Sequence, residues 1–258
     1  MRLKDKVAVI TGAARGIGQA YAERFAQEGA AVVIADILDR EGEEVTAGIK
    51  AKGGRAIYAR CDVTSRAQVS ALMDRAVTSF GQLDIVIANA ALIDVGDVMD
   101  VTDETFDKVF AVNVKGVLLT DQEAAKRMIA GKRKGVIINI ASTVAVVGDN
   151  YEGCYSASKG AVNLLTRTFA LSMAPHGIRV VAIGPGPVKT AMMAEPLSDP
   201  VRLKGLKART PLGRAAEPYE IAAVAVFLAS DEASFVTGQT YYADGGRLAL
   251  NYVMPETN

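Results

Sequence analysis

V-A-V-I-T-G-A-A-R-G-I-G, residues 7–18, decides how the rest of the chain is read. Val7 to Ile10 form an apolar run without polar alternation, which predicts a strand covered on both faces. A glycine turn follows at once, with Gly12, Gly16 and Gly18 spaced G-x-x-x-G-x-G. A helical pattern then runs to about Gln27. The spacing differs from G-x-G-x-x-G, so its weight comes from context: strand, glycine turn, helix. Glycines let backbone approach a pyrophosphate with no Cβ in the way. The helix N-terminus adds unpaired N–H groups and a partial positive charge. A nucleotide is the expected ligand of this turn.

The same alternation continues outward. Strands are expected at V-V-I-A (32–35), A-I-Y-A-R (56–60), D-I-V-I-A (84–88), G-V-I-I-N-I (135–140) and I-R-V-V-A-I (178–183). Between them, helices are expected over about 39–52, 65–80, 103–130 and 152–174, the third opened by the cap-like T-D-E at 102–104. Strand and helix repeated in this way predict an α/β fold, a Rossmann-like doubly wound parallel sheet with helices on both faces. Nothing rich in Pro, Ser or Gly splits the 258 residues, so 1–258 read as a single domain. The stretch from Gly184 to about Pro218 is rich in Pro, Met and charge and lacks a strand pattern. It reads as a substrate flap near 187–215.

Composition removes several function classes. Basic and acidic residues balance at 29 each, and the densest basic run is K-R-K at 132–134. No basic face for a nucleic acid is expected. Cys61 and Cys154 form no C-x-x-C pair, which fits a reducing compartment and no disulfide framework. One histidine, His176, sits in P-H-G at an expected helix end, and no metal site is predicted. No signal peptide or membrane helix is recognisable, so a cytoplasmic protein without a membrane partner is expected.

Asp36 ends the second strand, where a carboxylate can hydrogen-bond both hydroxyls of an adenosine ribose and repel a 2′-phosphate. Arg15 in the glycine turn pulls the other way. Asp36 outweighs it because it points at the ribose, so NAD is favoured over NADP. Asp62, ending the third strand, suits an adenine amino group or a helix cap equally. Asn89 ends the fourth strand, at the carboxyl edge where such sheets bind ligands.

Y-S-A-S-K (155–159) carries the second signal. Moving a hydride between an alcohol carbon and nicotinamide also requires a proton to reach or leave the oxygen. Tyr155 can do this if its phenol, ordinarily near pKa ~10, is made acidic. Lys159, four residues on along the same helical face, is placed to supply an ammonium that favours phenolate. Ser142, at the end of the fifth strand, can polarise a substrate oxygen. A lone Y-x-x-x-K has little weight; its agreement with the strand-end serine and the glycine turn gives it more.

From Lys6 to about Arg247 the chain resembles the short-chain dehydrogenase/reductase family. T-G-A-A-R-G-I-G matches the family's T-G-x-x-x-G-x-G, Asn89 lies in its N-A-G element, and Ser142, Tyr155 and Lys159 match its catalytic set. The resemblance implies that Asn113, in A-V-N-V, extends a proton relay from the lysine through a water. It implies a sheet of about seven strands, with T-G-Q-T…D-G-G (237–246) as the last strand and its exit. P-G-P-V-K-T (185–190) is similar to P-G-x-V-x-T, which implies that Pro185, Gly186, Val188 and Thr190 contact the nicotinamide end. Ile17 and Val63 join the implied cofactor contacts, beside Asp62. Two residues depart from N-N-A-G: Ala88 and Ala91 stand where Asn and Gly are usual, and a local shift is expected.

The resemblance further implies an NAD-dependent dehydrogenase of a secondary alcohol acting on a small-molecule substrate. An NADPH-dependent 3-oxoacyl-ACP reductase and a non-catalytic nucleotide-binding protein are the alternatives. Asp149, Tyr151 and Glu152 lie near Tyr155 in sequence; a polar substrate (polyol, sugar or hydroxy acid) and a merely satisfied loop explain them equally. A homotetramer is also implied, built on the helices at 103–130 and 152–174, the last strand and the tail at 248–255.

Overall fold

The computed structural model describes residues 1–193 and 198–254. Seven parallel strands form one sheet: β1 (Val7–Thr11), β2 (Ala31–Asp36), β3 (Arg55–Arg60), β4 (Ile85–Ala88), β5 (Val136–Ile140), β6 (Arg179–Pro185) and β7 (Thr240–Ala243). Their spatial order is β3-β2-β1-β4-β5-β6-β7. The order reverses between β1 and β4, and that crevice at the carboxyl edge is where doubly wound sheets receive ligands. β1, β4 and β5 are buried along their whole length, as continuous apolar runs covered on both faces must be.

Side chains leave each strand alternately to the two faces, and two cores result. Ala8, Ile10, Val32 and Ile34 pack with Tyr21 and Phe25 of α1 (Gly16–Gln27) and Val45 and Ile49 of α2 (Asp39–Ala51). Val7, Val9, Val33 and Ile137 pack with Val69 and Met73 of α3 (Arg66–Phe80). The helices after β4 and β5 join this second face.

The helix expected over 103–130 has an interruption. α4 (Asp103–Phe110) and α5 (Gly116–Ala130) are joined by a wider π turn at Ala111–Lys115. There Gly116 N–H reaches back to Ala111 O, five residues away. Asn113, fully buried in this turn, is held by loop backbone outside the helix: Leu92 N–H donates to its Oδ1 at 2.7 Å and its Nδ2 donates to Leu92 O at 2.8 Å. Tertiary hydrogen bonds thus accompany a widened ladder, of the kind that recurs at functional sites.

Other boundaries also differ from expectation by a residue or two. α6 covers Gly153–Met173. Ser65 is the cap of α3 rather than part of it, its side chain accepting from Gln68 N–H. β6 runs two residues further, into the P-G segment, because its edge pairs with β7.

The described part of the flap is partly ordered into a helix. α7 (Pro200–Ala208) starts at Asp199, whose carboxylate accepts from Val201 and Arg202 N–H, with Pro200 at the first helical position. Residues 194–197 of the expected flap and residue 255 of the expected tail lie outside the described residues. α8 (Pro218–Ala229) returns to pack on α1. Among the described residues no helix is long and apolar enough to cross a membrane.

Candidate active site

The glycine turn is closed by neighbouring strands. Asn89 Nδ2 donates to Thr11 O (3.0 Å) and Gly12 O (2.9 Å), and the N–H groups of Asn89 and Ala90 donate to Thr11 Oγ1. Asn89 is therefore spent on the turn. Ala88 and Ala91, the two departures from the usual motif, leave this latch intact. Gly12 has φ +63°, and a Cβ there would stand 2.7 Å from Ala90 Cα. A Cβ on Gly18 would stand 2.0 Å from Gly12 O. Arg15 occupies the cap position of α1 with no side-chain hydrogen bond to the helix, so among the described residues no side chain caps the first turn's N–H groups. Ile17 is partly buried against the first core.

Asp36 is held close to this turn. Its Oδ2 accepts from Ala14 N–H at 3.0 Å, and its Oδ1 accepts from Ile37 and Leu38 N–H. The exposed Arg15 shares its surroundings with Glu41, whose carboxyl lies below its usual range, a backbone hydrogen bond first and the cations Arg40 and Arg15 contributing after it. Asp62 accepts from Thr64 N–H and Thr64 Oγ1 at 2.9 and 2.8 Å, organising the turn ahead of the Ser65 cap. Val63 is buried in the second core; a Cβ on Gly116 would stand 2.8 Å from its Cγ2.

β6 delivers Pro185 and Gly186 to the same edge, where Gly186 N–H donates to Ala243 O. Val188 forms a parallel bridge to Ala216: Lys189 N–H donates to Ala216 O, and Ala216 N–H donates to Pro187 O. In such a bridge the central residue's own N–H and C=O point to the other side. A Cβ on Gly16 would stand 3.5 Å from Thr190 Cγ2. Residues 12–18 and 185–190, far apart in sequence, therefore line one crevice.

Ser142 lies just beyond β5, and Tyr155 and Lys159 lie in the first two turns of α6. Lys159 is buried, its Nζ donates to Ile140 O at 2.7 Å, and the same atom stands 5.4 Å from the centroid of the Tyr155 ring. Burial lowers the Lys159 ammonium to about 8. Burial pushes the Tyr155 phenol up to about 12; the negative charge of Glu152 adds to this, and a hydrogen bond from the Ser142 hydroxyl opposes it. The expected acidic phenol is thus not a property of the protein alone. Desolvation outweighs the serine in a site this enclosed.

Asn113 lies in the same corner, fully buried. Its side chain is committed to Leu92 and, through Nδ2, to Ser158 Oγ at 3.0 Å. It braces α6, and any relay through this residue has only its backbone to use. Ser158 Oγ in turn donates to Tyr155 O at 2.7 Å.

Sequence and fold are shared with known proteins. Residues 12–247 match the family model described as enoyl-(acyl carrier protein) reductase. A cis-4-hydroxycyclohexanecarboxylate dehydrogenase from Sinomonas cyclohexanicum is 41% identical over 95% of this chain and 98% of its own. A sorbitol dehydrogenase from Cereibacter sphaeroides is 40% identical, over 95% of this chain and 98% of its own. The solved structure of a short-chain type dehydrogenase/reductase from Mycobacterium marinum superimposes with a TM-score of 0.90 at 35% identity, over 96% of this chain and 97% of that one. This chain belongs to the short-chain dehydrogenase/reductase family.

As a member of that family it is an oxidoreductase. Two residues of its site escaped the sequence reading. Asp94 is buried, and its carboxylate accepts from Cys154 and Tyr155 N–H. Its only signal was a lone carboxylate in the apolar stretch A-L-I-D-V after β4. Arg247, beyond β7, acts on Glu152 and Asp149 from the far end of the chain, and no local pattern could have announced it.

Proposed function

We propose that the protein interconverts a secondary alcohol and a ketone, with NAD as the hydride carrier and Tyr155 as the acid–base group. One observation carries the reading: the buried Lys159 holds its Nζ 5.4 Å from the centroid of the Tyr155 ring, at the carboxyl edge that also holds the glycine turn.

The residues fit a dinucleotide. Gly12 and Gly18 leave no room for a Cβ, and the start of α1 offers free N–H groups to phosphate. Val188 offers one donor and one acceptor, the complement of a carboxamide. Asp62, Val63 and Asn89 serve by shaping the turns around the bound molecule, with Ile17 beneath it and Pro185, Gly186 and Thr190 beside it. A nicotinamide held by these residues would supply the hydride acceptor and, in its oxidised form, a positive charge that favours phenolate.

In the oxidising direction Tyr155 takes the alcohol proton, and Lys159 holds that phenolate with a positive charge. Ser142 donates to the substrate oxygen as its charge changes. Asn113 and Ser158 keep α6 in register with the loop after β4.

NAD is favoured over NADP on charge. A 2′-phosphate would meet the Asp36 carboxylate and, next to Arg15, the Glu41 carboxylate. The second reading, an NADPH-dependent reductase, rests on the exposed Arg15 alone. Rates with the two cofactors separate them: kcat/KM is expected to be higher with NAD by at least about tenfold, one carboxylate–phosphate repulsion of ~1.4 kcal/mol. Equal or better rates with NADPH overturn the cofactor assignment. The same reading takes the protein to be a cytoplasmic homotetramer joined through α4–α6 and β7. Exposed Leu164 and Leu171 on α6 support it, and sedimentation tests it.

A further inference from the structure

We propose that Gly245, Gly246 and Met254 form a strap that fixes the end of the flap helix α7, and that they are positioning residues for the alcohol substrate. The proposal rests on the alcohol–ketone reading and on 187–215 as the substrate flap, and it names what holds that flap in place.

Both ends of the flap are tied at the carboxyl edge. Its first residues leave β6, and the bridge of Val188 to Ala216 closes its base beside the crevice. α7 lies between these ends. None of its residues is buried, so core packing does not place it. Contacts from beyond β7 do.

The last carbonyls of a helix have no partner within it, and Met254 N–H donates to that of Ala208 at 2.8 Å. Two residues on, Thr210 is 1% exposed between the exposed Arg209 and Pro211. Gly245 covers it. A Cβ on Gly245 would stand 2.8 Å from Thr210 Cγ2, and Leu212 N–H donates to Gly245 O at 3.1 Å. A Cβ on Gly246 would stand 3.0 Å from Pro211 Cγ. Both glycines have positive φ, +66° and +89°, so conformation and close approach each require glycine.

The strap is itself anchored. It starts at Asp244, directly after β7, whose Ala243 pairs with Pro185 of β6. The Asp244 carboxylate accepts from Gly246 and Leu248 N–H at 2.9 and 2.8 Å, which fixes the turn. α7 is therefore held to the same strand ends that carry Pro185 and Gly186. The rest of the seam is open. A cavity of about 490 Å³ lies between Leu212 and Ala216 on the flap side and Tyr242 and Ala243 on the strand side. With that space unfilled, the contacts at 208–212 set how far α7 stands from the sheet edge. A displacement of about 1 Å in a substrate-positioning element is enough to weaken binding or turnover.

The test uses the full chain, NAD and a secondary alcohol that the wild type oxidises. It also uses trypsin, which cuts after Lys and Arg; α7 and its end carry Arg202, Lys204, Lys207 and Arg209. Gly245→Ala drives a methyl group toward Thr210 Cγ2. KM for the alcohol is expected to rise by about tenfold with kcat less changed, the pattern of lost binding rather than lost chemistry. NAD affinity, measured by calorimetry, should stay close to wild type. Cleavage within 202–209 should quicken by roughly tenfold as α7 opens more often. Adding Thr210→Ser removes Cγ2 and is expected to recover part of both changes, which a general loss of stability would not allow. Should Gly245→Ala fail to fold, Met254→Pro, which lacks the N–H group, is expected to move KM and cleavage in the same direction. Unchanged KM or unchanged cleavage in folded variants overturns the proposal and leaves the alcohol–ketone reading standing. A wild type that oxidises no secondary alcohol overturns that reading and, with it, the strap's part in substrate binding.

Discussion

The carboxylate of Asp94 accepts the backbone N–H of Tyr155 at 2.6 Å and that of Cys154 at 3.2 Å. The first N–H groups of a helix have no partner within it, and here a distant loop supplies one. The loop after β4 is thereby tied to the start of α6, and so to the phenol. Asp94→Ala is expected to cost about 1–2 kcal/mol of stability, the usual worth of a lost cap. Turnover should fall more than dinucleotide affinity. Asp94→Asn keeps one acceptor and should recover part of both losses. Thermal melting beside steady-state kinetics checks this, and an Asp94→Ala protein with wild-type turnover would show that the tie does not position Tyr155.

Tyr155→Phe removes one hydroxyl from a site whose packing is otherwise kept. Turnover should nearly vanish while dinucleotide affinity, measured by calorimetry, stays close to wild type. A variant retaining the wild-type rate would move the acid–base role to another group.

The pH profile carries a separate prediction. The negative charge of Glu152 raises the Tyr155 phenol, while Ser142 works against it. Oxidation requires the deprotonated form, so the rate rises with pH until the phenol has titrated. Glu152→Gln removes the opposing charge, and the rising limb of kcat should move to lower pH. Movement to higher pH would contradict the sign of this coupling.

Asp121, on α5, is fully buried beneath β5. Asn139 Nδ2 donates to its Oδ2 at 3.0 Å, while among the described residues Asp121 Oδ1 and Asn139 Oδ1 both lack a donor. Burial raises the Asp121 carboxyl to about 7, the bond from Asn139 opposing. The folded protein therefore keeps a proton that the unfolded chain releases near pH ~4. Stability from this group is fully present below that pH and is lost as pH rises through 7. Asp121→Asn should flatten this slope and add on the order of 4 kcal/mol at pH 8. Melting curves between pH 4 and 8 check it; an unchanged slope would mean the carboxyl is already ionised in the fold.

Two glycines give a contrast in one assay. Gly18→Ala drives a Cβ to 2.0 Å from Gly12 O and should abolish dinucleotide binding with a large loss of stability. Gly48, in α2, has open space where alanine's methyl group would sit, with nothing within 4 Å, and no positive φ. Gly48→Ala should be neutral or stabilise by about 0.5–1 kcal/mol through helix propensity. Tolerance of alanine at both sites would refute the close approach at the glycine turn.

Most of the fold was legible because its signals are local. The apolar runs at β1, β2, β4 and β5 and the helical periods between them need no knowledge of partners. The T-G-A-A-R-G-I-G turn and the Y-S-A-S-K helix were readable on the same ground. The π turn at Ala111–Lys115 was not, since the hydrogen bonds that accompany it come from Leu92, in a loop outside the helix. The extension of β6 to Pro185 was also hidden, because it depends on pairing with β7.

The chain's order of residues was enough to determine the alternating layers, the glycine turn after β1 and the spacing of Tyr155 to Lys159. These follow from backbone sterics and helical or strand period, which act over a few residues. Tertiary structure alone decided that Asp94 caps α6 and that the Asn113 side chain ties α6 to the loop after β4. It also decided that burial raises the Tyr155 phenol. Each depends on which distant groups share a low-dielectric space, and that is set by how the layers close, not by neighbours along the chain.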